Sequence, residues 1–194
     1  MEFYLVMSPI DEYIAVIDRI FGVFLDSTYG FHLGVKEIQR QQDEKLKDAK
    51  GNLDKARYEL DSKFLNYSIE NPSRIDHEIL VREYKEKNWP GGHNDQWAAR
   101  MALVTIYSFW EHRYRGEIAT FLNKEANSLK VNELGDLRYY RHAILHNLGR
   151  GYEGFDKLKV FDWFVSGDEI LLDMQKMKTI TDSLKTAIRK LGSA

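Results

Sequence analysis

Leu137-Arg-Tyr-Tyr-Arg-His-Ala-Ile-Leu-His-Asn-Leu-Gly149 is the stretch on which the fold turns. At about 100° per residue, Leu137, Tyr140, Ile144, Leu145 and Leu148 share one arc of a helix, with Arg141 at its margin. His146 lies roughly 140° from Arg141, beside His142. A helix with one apolar arc must bury it against other helices, so the stretch predicts a helical bundle. Gly135-Asp136 precedes the helix and Gly149 stops it.

Working outward, the segment before it reads as a long helix starting near Asn94-Asp95. It carries Trp97, Met101, Leu103, Val104, Tyr107 and Trp110, apolar almost all round in its middle, as a helix at the centre of a bundle is. Trp89-Pro90-Gly91-Gly92 is the strongest break in the chain, and Asn71-Pro72 predicts a shorter helix through Ile75, Ile79, Leu80 and Tyr84. From about Val35 to Tyr67 the apolar residues thin to Ile38, Leu46, Leu53, Leu60 and Phe64, a long solvated helix or helix pair broken near Gly51-Asn52. Its charged face from Lys36 to Lys63 is also a surface on which a regulatory protein partner could sit. Ser8 and Pro9 open a first helix through Ile10, Ile14, Ile17, Phe21 and Phe24, ending near Tyr29-Gly30. Toward the C-terminus, KVFDWF and EILLD flank Val165-Ser166-Gly167-Asp168 and predict a short β-hairpin. Asp173 then caps a last helix through Met177, Ile180, Leu184, Ile188 and Leu191, closed by Gly192. The fold class is mainly all-α, with a short β-hairpin before the C-terminal helix, in one domain over 1–194.

Composition agrees with a globular domain: 194 residues, 43% apolar, 30% charged, and no Cys. Without Cys there is no thiolate nucleophile, disulfide or cysteine zinc site, which fits a cytoplasmic protein. Asp11, Glu12 and Asp18 interrupt the apolar N-terminal stretch, which argues against a signal peptide. The longest uncharged run, Met101 to Trp110, is half of the roughly 20 residues a membrane span requires, so no membrane partner is expected. A net charge of −2 excludes a whole-protein basic field for nucleic acid. Between Glu111 and Lys159, however, nine Lys or Arg face seven Asp or Glu, a local excess of two positive charges.

The Leu137–Gly149 stretch also holds the densest set of functional side chains. Arg141 and His146 form an Arg-x4-His pair, a pattern that takes its specificity from context. Here Arg141 is followed by polar His142, His146 by Asn147-x-Gly149, and a long apolar helix ending in Trp110-Glu111 precedes the pair. In these features the chain resembles the HEPN superfamily of helical domains, over about 95–191, with 1–92 as additional helices. The resemblance implies a metal-independent ribonuclease acting on RNA as a homodimer, in stress response or anti-phage defence, with Arg141 and His146 as catalytic residues.

The chemistry agrees with that implication. Attack of a ribose 2′-hydroxyl on the adjacent phosphate needs a proton acceptor, a proton donor and a cation on the phosphorane. Histidine as a residue type exchanges protons near pH 7, and a guanidinium grips phosphate oxygens in a bidentate fork. One Arg and one His are half of such a site, and two copies of the helix side by side complete it. Arg141, at the edge of the apolar arc, needs a carboxylate, and Glu111 is the expected partner, with His112 nearby. Supporting roles fall to Glu111, His142 and Asn147, and RNA contacts to Arg138, Tyr139 and Arg150, the last on a mobile GRGYEG loop that also carries Tyr152.

Each assignment has a plainer counterpart. Arg141–Glu111 is also the form of an ordinary structural ion pair, and Tyr139 and Tyr140 are of the type that fills bundle cores. His142 and His146 at i, i+4 have the spacing of a helical metal site but lack the acidic residue of a zinc protease helix, so no metal or cofactor is expected. The GRGYEG match to G-x-G-x-x-G follows a helix rather than a strand, which rules out a dinucleotide fingerprint. Leu148 stands where HEPN toxins silenced by nucleotide transfer carry a Tyr, which argues against that mode of control. A catalytically silent HEPN module binding RNA or a protein is the alternative reading.

Overall fold

The computed structural model describes residues 7–48, 52, 54–55, 58 and 62–193. The chain is mainly helical with one two-stranded antiparallel sheet. Two compact units divide it, one formed by the residues up to Leu25 together with those from Trp97 onward, the other by Asp26–Gln96. Among the described residues no helix is long and apolar enough to cross a membrane. Gly51, Leu53 and Leu60 of the expected helix break, and the first six residues, lie outside the described residues.

Helix α1 (Pro9–Asp48) starts where Ser8 and Pro9 place it, with the Ser8 hydroxyl oxygen accepting from the Asp11 amide at 3.1 Å. It does not stop at Gly30. A lone glycine costs a helix only about 1 kcal/mol, and nothing else at Tyr29-Gly30 breaks the run. In the second unit Gly34 is required, because a Cβ there would lie 2.6 Å from the Tyr84 hydroxyl. The Lys85 ammonium ties α2 (Val81–Asn88) to α1 through the side-chain oxygens of Gln39 and Gln42, at 2.7 and 2.9 Å.

The sheet lies in this second unit, where helix was expected. Strand β1 (Lys63–Tyr67) pairs with β2 (Ile75–Leu80), and Asn71-Pro72 forms the turn between them. The spacing of Ile75 and Ile79 fits both periods, since four residues are one helical turn and two strand repeats. His32, which the sequence left without partners, bonds Asp95 at 2.9 Å.

In the first unit α3 (His93–Phe109) passes through one π turn, Trp110–Tyr114, into α4 (Arg115–Phe121). Its core joins Tyr13, Ile17, Leu103, Ile106 and Ile118 to Leu137 and Tyr140 of α5 (Asn132–His146) and to Met177, Ile180 and Leu184 of α6 (Met174–Leu191).

The hairpin expected before α6 is not a ladder. Val165–Asp168 does turn, with the Asp168 amide donating to the Val165 carbonyl at 3.2 Å. Its flanks do not pair with each other, because the Lys159, Val160 and Phe161 amides are taken by the buried Asp136 carboxylate at 2.7–3.1 Å. The far flank pairs instead with the GRGYEG segment, through Gly151 N to Asp168 O at 2.8 Å and Ile170 N to Gly149 O at 2.9 Å.

Asp173 caps α6 as its sequence predicts, its carboxylate accepting from the Lys176 amide at 2.7 Å. Hydrogen bonds from the Lys176 side chain and amide hold that carboxyl below its ordinary value. Asp173→Ala is expected to cost about 1 kcal/mol, read as a lower melting temperature. Because the folded-state pKa is depressed, the difference from the parent is full above the ordinary carboxylate range. It shrinks as pH falls through the lowered value.

Candidate active site at the end of helix α5

Helix α5 buries Leu134, Leu137, Tyr140 and Ala143 and leaves Arg138, His142 and His146 exposed. Arg141 sits between these faces, its side chain 29% exposed. The sequence placed Leu145 and Leu148 in the buried arc, but they are 45% and 92% exposed. The physical reason is the helix end. α5 stops at His146, and Leu148 falls in the left-handed region at φ 51°, turning its side chain out of the arc.

On one flank Arg141 Nη1 is 3.8 Å from Glu111 Oε2, and its guanidinium lies 5.8 Å from the Tyr107 ring centroid. Tyr107, absent from the sequence reading, donates to Glu111 Oε1 at 3.4 Å, and burial, then Glu111, pushes its hydroxyl pKa up. The pair is loose rather than buried, since Glu111 is 39% exposed, and Arg141 Nε is buried with no acceptor among the described residues. Glu111 stands in the π turn, which lets the helix present Trp110 and Tyr114 to the core and Glu111 to Arg141. His112, next in the turn, holds the Ser108 carbonyl at 2.9 Å through Nδ1. A carbonyl only accepts, so Nδ1 carries the proton and Nε2 is the free acceptor.

On the other flank the His142 ring lies 5.0 Å from that of His146 and 4.7 Å from that of Tyr152. Tyr152 in turn packs on Phe155 at 5.6 Å, so the ladder runs from the core out to His146 at its free end. Arg138 lies over Tyr139 at 5.0 Å and donates to its hydroxyl at 3.2 Å. Arg141 and His146 thus face different ways, as the helical spacing requires. Among the described residues no group of three or more His, Asp or Glu stands together as a metal site.

The GRGYEG segment is tied rather than mobile. The Asn147 side-chain amide donates to the Arg150 and Gly151 carbonyls at 2.8 and 3.2 Å, and Arg150 donates to Gly167 O at 3.3 Å. Arg100, missed in the sequence, clasps the Ile170 carbonyl through Nε and Nη2 at 3.1 and 2.8 Å and meets Glu169 at 3.0 Å. Gly149 is needed twice over, at φ 73° and with a Cβ position 2.8 Å from Arg100 Nη1. No local signal marks Arg100, because its partner is a backbone carbonyl 70 positions away.

Beside the motif lies a groove of about 570 Å3, walled partly by Tyr107, Arg138 and Tyr139. No family model, curated protein or solved structure matches the chain.

Proposed function

We propose that the chain is a metal-independent endoribonuclease of HEPN type, whose site is completed by a second copy across the exposed face of α5. The observation that carries the reading is the division of α5 at its end. An incompletely bonded guanidinium, Arg141, lies on one flank, and a solvent-facing imidazole, His146, lies on the other. In this reading His146 moves the proton and Arg141 grips the phosphate, with Glu111 and Tyr107 orienting Arg141. The half-exposed Leu145 and the outward Leu148 support an apolar contribution to the dimer seam.

Sedimentation is expected to give a dimer at tens of micromolar, corresponding to association stronger than about −7 kcal/mol. A monomer at that concentration overturns the composite site. Cleavage of single-stranded RNA is expected to persist in EDTA and to leave 2′,3′-cyclic phosphate and 5′-hydroxyl ends. Loss of activity on chelation, restored by Mg2+ or Zn2+, counts against it. A dimer that binds RNA without cutting it makes the catalytically silent module the better reading.

A further inference from the structure

The groove beside α5 is strongly one-signed in a chain of net charge −2. Arg115, Lys130, Arg138, Lys157 and Lys159 line it, and Asp136 is its sole carboxylate. That carboxylate is 1% exposed and spent on three backbone amides, so it does not face the groove as a free charge. None of the five cations has a carboxylate partner among the described residues, whereas Arg40, Arg113, Lys178 and Lys185 all do. Like charges gathered without counter-charges repel one another, and a polyanion relieves that repulsion. Tyr139, half-buried, adds an aromatic wall, and the first turn of α5, uncapped by any side chain, adds amides.

We propose that this groove is the binding track for the backbone of single-stranded RNA, with Lys130, Lys157 and Lys159 as phosphate contacts away from the reacting centre. In taking RNA the proposal rests on the ribonuclease reading. Interleaved cations and a tyrosine face suit a single strand, whose phosphates and bases alternate along its length. Tyr107, Arg138 and Tyr139 belong both to the groove and to the surroundings of Arg141, so a strand lying there passes the motif.

Fluorescence anisotropy with a labelled 2′-O-methyl oligonucleotide of a dozen nucleotides tests this without interference from cleavage. Five phosphate contacts give a slope of log K against log salt near −3, from about −0.7 per phosphate on single strands. Lys157→Ala/Lys159→Ala is expected to weaken binding about tenfold and to flatten the slope by about 1.4. Both lysines are exposed, so circular dichroism and melting should match the parent. His146→Ala should bind as the parent does. Unchanged affinity and slope in the double-lysine variant overturn the groove proposal, as does a parent that ignores RNA or prefers an acidic peptide. Unchanged groove variants alongside an inactive His146→Ala leave the ribonuclease reading standing. Lysine-dependent binding with no cleavage removes that reading and keeps the groove.

Discussion

His146→Ala is expected to lower RNA cleavage by at least a hundredfold while leaving the melting temperature unchanged. General acid–base catalysis by one positioned side chain contributes about 10²–10⁴ in rate, which sets the floor. The imidazole touches only the His142 ring and is exposed, so its loss opens no cavity. Arg141→Ala is expected to abolish cleavage too, and its stability cost is small, below about 1 kcal/mol. Glu111 is 39% exposed and 3.8 Å away, and water takes over its solvation when Arg141 goes. The unpaired Arg141 Nε, a burden in the parent, disappears with the side chain. Arg141→Lys keeps the charge without the fork and should stay inactive. Cleavage by His146→Ala at the parent rate overturns the assignment of this site.

Asp136→Ala is the substitution expected to cost the most stability, roughly 3–5 kcal/mol, because it strips three amides of a shared charged acceptor. For a chain of this size that amounts to a fall of about 10 °C in melting temperature, measurable by calorimetry. Asp136→Asn retains one carbonyl oxygen and should lose less. A variant as stable as the parent would mean that solvent replaces the carboxylate at those amides. Lys157 and Lys159 stand on the segment that Asp136 anchors, so Asp136→Asn is expected to loosen their grip on RNA as well.

The helices that pack were legible from the sequence, and those that follow backbone bookkeeping were not. Ile14, Ile17 and Phe24, then Leu103 and Ile106, then Ile180 and Leu184 announce α1, α3 and α6 by repeating at helical spacing. The caps at Ser8 and Asp173 are local chemistry and were equally readable. The strands were misplaced because Ile75 and Ile79 satisfy two periods at once, and because Asp136 claims amides that KVFDWF appeared free to offer a ladder. In the site, the Arg141–Glu111 proximity and the exposed imidazoles follow from helix angles. Tyr107 and Arg100 do not, since each is defined by a partner that only the fold brings near. The basic groove was visible only as an excess of two charges spread over 49 residues.

The π turn at Trp110–Tyr114 fixes how this chain can change length. Its hydrogen bond from Arg115 N to Trp110 O spans five residues, one more than an α-helix uses. Deleting His112 converts the turn to regular helix and rotates everything after it by about 100°. Trp110 would stay in the core while Tyr114 and Ile118, 2% and 0% exposed, swung toward water and Glu117 toward the core. Position 112 is thus free to vary in side chain and closed to deletion. The extra residue that brings Glu111 to Arg141 is an insertion the fold cannot give back.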